Sequence, residues 1–471
     1  MSGGRGSPRY TCGVTAPVHA SVLELIGNTP VVELKEFETG PCRLFVKMET
    51  ENPAGSIKDR MAQAMIEDAE RAGRLKPGGT IVEATAGNTG LGLALVAAAK
   101  GYRLILTIPE KMSQEKVAHC RAFGADIRLT RSDVSKGHPQ HYFTMAERIA
   151  SEIPDAIHIN QFANPANPRA HQETTGPEIW EQMEHDVDAI VCGVGSGGTV
   201  TGLSRYFARV KPDLELVVAD PAGSALAGII NGESRPTGPY AVEGIGGDSV
   251  PPVADLSRVR CAFSIPDAES FDISRQLLKR AGLFGGSSSG TLVAAALRYC
   301  RLQSQPKRVV TFLCDTGNKY LSKHFNDYWM LDQGYLERPP TGDLRDWFTR
   351  RYDEGAVVTV GPEDSLLIAF QRMRMADVSQ VPVIDRGQPV GILDESDVLV
   401  AVHKDPALFR EPVRTAMTRR LDTLAPSASL DDVLRTLDAG KVALIAEGGR
   451  FFGLITRTDL LSHLRRRLRA S

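Results

Sequence analysis

The chain has 471 residues, of which 42% are hydrophobic and 24% are charged, as is ordinary for water-soluble globular proteins. At about 100–200 residues per domain, this length predicts about three domains, or one large unit with a smaller one. The 55 basic and 57 acidic residues leave a net charge of −2. So balanced a surface excludes the strong field that attracts nucleic acid or an anionic membrane, so neither is expected as a partner.

The cysteines and the N-terminus indicate the compartment. Seven cysteines are scattered along the chain without any Cys-x-x-Cys pair, which favours reduced thiols over a disulfide framework or a metal site. The first residues lack the apolar core of a signal peptide. The best apolar run, at 91–99, is far shorter than the roughly 20 residues that span a bilayer. We therefore expect a cytoplasmic protein without a structural metal.

The predicted elements begin after a Gly-, Ser- and Pro-rich segment, residues 1–20, which is expected to be flexible. From 21 to 335, short apolar runs alternate with helical patterns such as 61–72 and 92–99. The strand-like runs lie at 44–48, 80–84, 104–108, 189–193, 216–219 and 309–313. Runs that are apolar on both faces are typical of buried parallel strands joined by helices. This region is therefore predicted to be a doubly wound α/β unit with ligands at the carboxyl ends of its strands.

A Pro- and Gly-containing linker, residues 336–345, separates this unit from an internal repeat. The pattern Thr359-x-x-Pro-x-x-Ser-Leu366 recurs as Thr423-x-x-Pro-x-x-Ser-Leu430. Gly391-Ile-Leu-Asp-Glu-Ser-Asp397 recurs as Gly453-Leu-Ile-Thr-Arg-Thr-Asp459. The repeats are placed at 346–405 and 406–468. Each is too short to bury a large core alone, so the two are expected to pack together as an α+β module.

The most informative lysine lies in Asn52-Pro-Ala-Gly-Ser-Ile-Lys58-Asp-Arg60, between a predicted strand and a helix. Covalent chemistry at a lysine needs the neutral amine, so burial or a neighbouring positive charge must lower its pKa. Small residues before Lys58 would let a flat ring approach the backbone. Taken alone, a lysine at a helix start is usually a solvated surface residue.

Three further turns each follow a predicted strand or precede a helix. They are Glu83-Ala-Thr-Ala-Gly-Asn-Thr-Gly90, Gly193-Val-Gly-Ser-Gly-Gly-Thr-Val-Thr-Gly202 and Phe284-Gly-Gly-Ser-Ser-Ser-Gly290. Backbone N–H groups at a helix start suit an anionic group. Each turn alone is weak evidence, because a tight turn, a dinucleotide-binding loop or a flexible serine loop would look similar.

Together, in this order, the four segments resemble the β-substituting pyridoxal 5′-phosphate (PLP) family of cysteine synthases and cystathionine β-synthases. The resemblance covers about 21–335 and implies the PLP fold type II. It implies that Lys58 carries the cofactor covalently, that Asn88 bonds its 3′-oxygen and that Ser287 bonds its pyridine nitrogen. It places the cofactor's phosphate in a cup formed by Gly195, Ser196, Gly197, Gly198 and Thr199.

The same resemblance implies a site for the amino-acid substrate. Its residues are Thr85, Ala86, Asn88, Thr89, Gln161, Glu243 and Gly244. Three positions depart from the family pattern. Ala86 stands where the family usually has serine, Phe162 resembles the cysteine synthases, and Gly247 replaces an aromatic residue of many cystathionine β-synthases.

The implied reaction is a β-replacement in which Lys58 removes the α-proton of the donor amino acid and later returns it. The segments at 220–224, 242–246 and 315–330 favour serine and homocysteine as substrates, giving cystathionine and water in transsulfuration. The segments at 161–162 and 174–180 look more like a cysteine synthase, which uses O-acetylserine and sulfide. That reaction is therefore the alternative.

Animal relatives carry a haem on an N-terminal cysteine and histidine. Cys12 and His19 do not match that pattern, so no haem is predicted.

The repeat resembles a tandem pair of CBS domains, which often bind adenosyl ligands. The corresponding candidate positions are Asp397, Thr456 and Asp459, although Asp394 replaces the hydroxyl residue of the first copy. A purely structural or dimerising module, and a ligand sensor with a decayed catalytic unit, are the alternatives. The family resemblance also implies a homodimer or a higher oligomer.

Overall fold

The computed structural model describes residues 18–85, 87–110, 112–135 and 137–470. Cys12, Ala86 and most of the segment 1–20 lie outside the described residues. Contacts divide the chain into two compact units between Phe325 and Asn326. The expected boundary at 335 differs from this division, because residues 327–333 form a helix whose Asp332 pairs with Arg465 and Arg466. In the part of the chain that the structure describes, no helix is both long and apolar enough to cross a membrane.

The first unit contains two sheets. Its strands are β1 (Val31–Glu33), β2 (Arg43–Met48), β3 (Thr80–Ala84), β4 (Arg103–Pro109), β5 (Asp126–Thr130), β6 (Ala156–His158), β7 (Ala189–Gly193), β8 (Glu215–Pro221), β9 (Val259–Ile265) and β10 (Arg308–Leu313). The larger sheet has the order β1-β2-β10-β7-β8-β9 and the smaller one β5-β4-β3-β6. All pairings are parallel except that between β1 and β2. The predicted mostly parallel α/β fold is confirmed.

Helices connect these strands. They are α1 (Lys58–Arg71), α2 (Asn88–Lys100), α3 (Gln114–Ala122), α4 (Tyr142–Glu152), α5 (Ala166–Ala170), α6 (Gly176–Gln182), α7 (Gly198–Val210), α8 (Leu226–Asn231), α9 (Asp267–Gln276) and α10 (Ser287–Arg301). A π-helical turn, His171–Thr175, joins α5 to α6. Short 3-10 turns lie at Val22–Leu25, Glu49–Glu51 and Gly317–Tyr320, and a π turn at Leu277–Ala281.

Strand β3 of the smaller sheet is covered on both of its faces. Every residue of β3 is buried. Ile81 belongs to a core formed with α1 and α2, whereas Val82 packs in a second core with Ala146 of α4. Successive side chains of a strand point to opposite faces, so two covered faces bury successive residues, of which Ile81, Val82 and Ala84 are apolar.

The second unit contains two copies of a helix–hairpin–helix arrangement. Its elements are α11 (Asp327–Gln333), α12 (Leu366–Ala376), β11 (Gln380–Asp385), β12 (Gln388–Asp394), α13 (Glu395–Lys404), β13 (Thr423–Leu424), α14 (Leu430–Asp438), β14 (Ala443–Glu447), β15 (Arg450–Ile455) and α15 (Arg457–Ala470). The repeated serines, Ser365 and Ser429, are the N-caps of α12 and α14. Each copy has its own apolar core, and β12 contacts β15, as expected if the copies pack together.

Candidate active site

A cavity of about 230 Å³ lies in the first unit. Two of the sequence turns meet there, because they follow the carboxyl ends of the parallel strands β3 and β7. The third turn, at the start of α10, contributes Ser288 to the lining. The predicted site residues that line it are Lys58, Thr85, Asn88, Thr89, Gln161, Gly195, Ser196, Gly197, Gly198, Thr199 and Gly244. Ser287 and Glu243 do not line it.

Lys58 is the first residue of α1 and lines the cavity. Burial lowers the pKa of its amine, although the nearby Cys314 and Asp315 oppose this shift. Among the residues that the structure describes, no hydrogen bond engages the Lys58 Nζ atom. Lowering the pKa favours the neutral amine, which is the form that attacks a carbonyl carbon. Lys58 therefore meets the requirement that burial lower the pKa of a lysine used for covalent chemistry.

The loop between β7 and α7 is built to hold an anion without obstruction. Gly197 is the N-cap of α7 and has φ +89°, which lies in the left-handed region. A Cβ atom on Gly195 would lie 2.3 Å from the carbonyl oxygen of Gly244. One on Gly198 would lie 1.8 Å from Asn167 Oδ1. The glycines therefore let the loop sit close to its neighbours, and the N-terminus of α7 suits a phosphate group.

The loop between β3 and α2 meets a second polar segment at the same cavity. The Thr89 hydroxyl donates a hydrogen bond of 2.7 Å to Gln161 Oε1. The Thr85 hydroxyl accepts one of 3.2 Å from the backbone N–H of Gly87. The fold thus brings together three residues expected to hold the substrate carboxylate, although they come from two separate stretches of sequence.

Asn88 lines the cavity at the start of α2, and its amide is held on both sides. Its Nδ2 donates to Asp315 Oδ2 at 2.8 Å, and its Oδ1 accepts from Lys319 Nζ at 2.9 Å. Lys319 is buried, and burial lowers its pKa to about 8. The sequence reasoning missed both partners. The polar run directly after β10 was the signal that could have identified them.

The predicted pyridine partner, Ser287, does not line the cavity, and its role toward the cofactor stays a prediction. The Ser287 hydroxyl is buried and accepts a hydrogen bond of 3.1 Å from the backbone N–H of Glu243. The next residue, Ser288, lines the cavity with Leu292 and Cys314. Successive side chains of a helix point about 100° apart, so moving by one residue at the start of α10 changes which group faces the cavity.

Glu243, a predicted substrate contact, pairs with two lysines, and its role toward the substrate stays a prediction. Its carboxylate is bound by Lys116 Nζ at 2.5 Å and by Lys323 Nζ. Burial opposes ionisation, but these two ammonium groups outweigh it and lower the pKa of Glu243. The Glu243 carboxylate is thus paired with two lysine ammonium groups and does not line the cavity. Lys116, which the sequence analysis did not identify, lines the cavity instead.

The candidate adenosyl positions in the second unit make local contacts. Asp459 Oδ2 accepts hydrogen bonds from the Thr456 N–H at 2.9 Å and from the Thr456 hydroxyl at 2.6 Å. Asp397 Oδ2 accepts one of 3.1 Å from the Asp394 N–H, within a capping box that starts α13. Both carboxylates therefore stabilise the first turn of a helix. Their role toward a ligand stays a prediction.

Comparisons with protein families and curated proteins cover both units. A family model described as pyridoxal-phosphate dependent enzyme matches residues 22–315. A CBS domain model matches residues 351–404 and 413–466. The chain is 35% identical to a cystathionine beta-synthase of Dictyostelium discoideum, over 94% of this chain and 92% of that protein. It is 32% identical to one of Saccharomyces cerevisiae, over 94% of this chain and 97% of the relative.

Two solved structures resemble a large part of the chain. A hydrogen sulfide-producing enzyme from Fusobacterium nucleatum has a TM-score of 0.61 and 34% identity, covering 64% of this chain and 100% of its own. An O-ureido-L-serine synthase has a TM-score of 0.62 and 33% identity, covering 69% of this chain and 98% of its own.

Proposed function

The chain belongs to the cystathionine β-synthase family of pyridoxal-phosphate dependent enzymes, and from this premise we propose its substrates and the roles of its residues. It is a PLP-dependent enzyme of β-replacement. We propose that it condenses serine with homocysteine and releases cystathionine and water. The observation that carries this proposal is Lys58, whose buried amine lies at the cavity that the glycine loop and Asn88 share.

The residues of the cavity fit the cofactor. Lys58 would hold it covalently, the N-terminus of α7 would bind its phosphate, and Asn88 would form a hydrogen bond with its 3′-oxygen. We propose Ser288, which lines the cavity, as the partner of the pyridine nitrogen, and Ser287, which the sequence predicted, as the alternative. The cofactor, when bound, supplies the electron sink for charge that develops at the α-carbon.

The chain's own groups then bind the substrate and move its proton. The loop at the start of α2 binds the substrate carboxylate through Thr85, Thr89 and the helix N-terminus, and Gln161 holds Thr89 in place. Lys58, displaced by the substrate amine, takes the α-proton as a general base and returns it after the thiol has added. Its lowered pKa favours the neutral form that this role requires.

A donor–acceptor assay tests the substrates. Purified enzyme loaded with PLP is given serine or O-acetylserine, each with homocysteine or sulfide, and the products are separated. Cystathionine from serine and homocysteine is the expected main product. Cysteine from O-acetylserine and sulfide, without any cystathionine, would reject the proposal in favour of the cysteine synthase reaction. Lys58→Ala is the matched control and should abolish turnover in every combination.

The CBS domain pair supports a second proposal, that the second unit binds an adenosyl ligand at Thr456 and Asp459. Calorimetric titration of the full chain with S-adenosylmethionine, ATP and AMP tests it. Asp459→Ala should abolish the heat of binding, whereas Asp397→Ala should reduce it less, because Asp394 replaces a hydroxyl residue in that copy. Absence of heat from all three ligands would leave the module a structural role.

The family resemblance also supports a cytoplasmic homodimer. The six cysteines among the described residues are free thiols, in keeping with a reducing compartment. Light scattering of the purified chain tests the assembly, and a mass of one chain across concentrations would reject it.

A further inference from the structure

We propose that Asn167 and His171 are positioning residues that hold the cofactor's phosphate loop, residues 195–199, and that Asn167 links it to the substrate-carboxylate loop. The inference rests on the proposed function. Neither residue lines the cavity, so both act through the groups that they touch. Asn167 belongs to α5, and His171 opens the π-helical turn that follows.

These two side chains share one face of a continuous helical segment, because they are four residues apart. That face packs closely on α7, the helix that begins with the phosphate loop. A Cβ atom on Gly202 of α7 would lie 2.6 Å from the Cβ of His171 and 2.5 Å from the carbonyl oxygen of Pro168. The glycine thus permits backbone-to-backbone approach, and the segment lies directly against the loop.

Asn167 joins the two binding loops. It is fully buried, and its Nδ2 donates to Ser196 Oγ at 2.9 Å and to the carbonyl oxygen of Gln161 at 2.8 Å. Gln161 in turn accepts the hydrogen bond of Thr89. One amide group therefore touches the phosphate loop directly and reaches the carboxylate loop through a single residue.

The oxygen of the Asn167 amide lowers the stability of the fold. Among the described residues, Asn167 Oδ1 is buried without a hydrogen-bond partner. It lies against Gly198, where a Cβ atom would be only 1.8 Å away. An unpaired buried oxygen destabilises a protein, and an apolar side chain would avoid that penalty. The two hydrogen bonds donated by the same amide are the feature that distinguishes asparagine from an apolar residue here.

His171 holds the far end of the loop. Its Nδ1 lies 2.9 Å from Thr175 Oγ1, and its Nε2 lies 3.3 Å from Thr199 Oγ1. Burial, assisted by the charges of Arg60 and Lys58, lowers the pKa of His171 to about 3. The ring is therefore neutral at physiological pH, and each nitrogen has a hydroxyl partner. The neutral ring thus orients the Thr199 hydroxyl without adding a further buried positive charge.

Two substitutions of His171 separate a positioning role from simple packing. The amide nitrogen of Gln can approach the position of Nε2, so His171→Gln keeps a partner for Thr199. The shorter His171→Asn reproduces only the position of Nδ1 and leaves Thr199 without its partner. His185→Asn, at an exposed histidine of the same region, is the control.

The readouts are the dissociation constant of PLP for the apoenzyme, followed by fluorescence, and the ³¹P resonance of the bound phosphate. We expect His171→Asn to weaken PLP binding about tenfold, the effect of losing one hydrogen bond to a buried partner, and to shift the resonance. His171→Gln should stay within about threefold of the unsubstituted protein. Equal affinities and resonances for both variants would overturn the inference. Failure of the unsubstituted chain to bind PLP would instead reject the proposed function.

A second measurement covers Asn167 and remains decisive should a His171 variant not fold. PLP affinity is measured for Asn167→Ala, Ser196→Ala and the double variant. If Asn167 acts through Ser196, the loss caused by Asn167→Ala should shrink severalfold in the Ser196→Ala background. Strictly additive losses would contradict this. The link to the carboxylate loop predicts that Asn167→Ala also raises the KM for serine more than it lowers kcat, and an unchanged KM would refute the link.

Discussion

At the scale of single residues, Glu83 is an unusual group next to the site. It lies near the end of β3, is fully buried, and accepts a hydrogen bond of 3.3 Å from Gln161 Nε2. Its other oxygen has no hydrogen-bond partner among the described residues, and His158 Nε2 lies 3.9 Å away. Burial raises the pKa of Glu83 to about 8. The neutral carboxyl thus holds Gln161, and through it Thr89, near neutral pH.

Glu83→Gln should change how stability depends on pH. The pKa of Glu83 is about 8 in the folded protein and 4.5 ordinarily, so the folded state binds more protons between these values. Its contribution is therefore complete below pH 4.5 and is lost as pH rises toward 8. Glutamine has nearly the shape of the protonated Glu83 side chain but does not titrate. The melting temperature of the variant, relative to that of the original protein, should therefore rise from pH 5 to pH 8.

The control for this prediction is Glu152→Gln, because Glu152 is exposed and pairs with Arg148, which is also exposed. It should not show the trend. A difference in melting temperature between Glu83→Gln and the original protein that stays constant with pH would show that Glu83 is ionised in the fold.

We expect alanine substitutions of the two adjacent serines of α10 to have different effects on the cofactor absorbance. Ser288→Ala removes the hydroxyl at the cavity, so we expect a shifted cofactor absorbance and a loss of about tenfold in kcat/KM, or about 1.4 kcal/mol. Ser287→Ala leaves the Glu243 N–H without its partner, which should destabilise the fold by about 1–3 kcal/mol. The cofactor absorbance should then be unchanged. Spectra of both loaded variants decide, and a shift in Ser287→Ala alone would restore the original assignment.

At the scale of elements, the turn from β7 into α7 shows how backbone packing limits sequence. A Cβ on Gly195 meets a backbone oxygen of a separate loop, Gly244 O, at 2.3 Å. A flexible side chain could move aside, but here one backbone segment must shift against another. The same turn presents the N–H groups expected to bind the phosphate, so the shift acts directly on the site.

Gly195→Ala should therefore weaken PLP binding by about tenfold or more, equivalent to about 1.4 kcal/mol or more. Gly238→Ala is the matched control, because a Cβ there would meet no atom within 4 Å. Fluorescence titration of the two apoenzymes measures the difference. Equal affinities would mean that the loop accommodates the methyl group.

At the scale of the whole molecule, the two units have separate apolar cores. Separate cores are expected to unfold in separate steps, so calorimetry of the full chain should show two transitions. PLP binds the first unit, and at a hundredfold excess over its dissociation constant a ligand stabilises the folded form by about 2.7 kcal/mol. Removing PLP should thus lower one transition and leave the other in place. A single transition that shifts as a whole would contradict this prediction.

The sequence by itself determined what depends on local pattern. Apolar runs set the strands such as 80–84 and 309–313, glycines set the turns before α2 and α7, and the repeated Thr-x-x-Pro-x-x-Ser marked the two copies with their N-caps. Each of these rests on neighbouring residues, whose backbone preferences and periodicity act over a few positions. The assignment of Lys58 to the cavity followed from the same local motifs.

Only the tertiary structure decided which groups face the cavity and which are taken by other partners. The bond between Lys116 and Glu243 joins residues 127 apart in sequence, and that between Asn88 and Asp315 joins residues 227 apart. No local pattern specifies such pairs, because they depend on how strands are ordered in the sheets. Whether Ser287 or Ser288 lines the cavity depends on the rotation of α10, where one residue turns the side chain by about 100°.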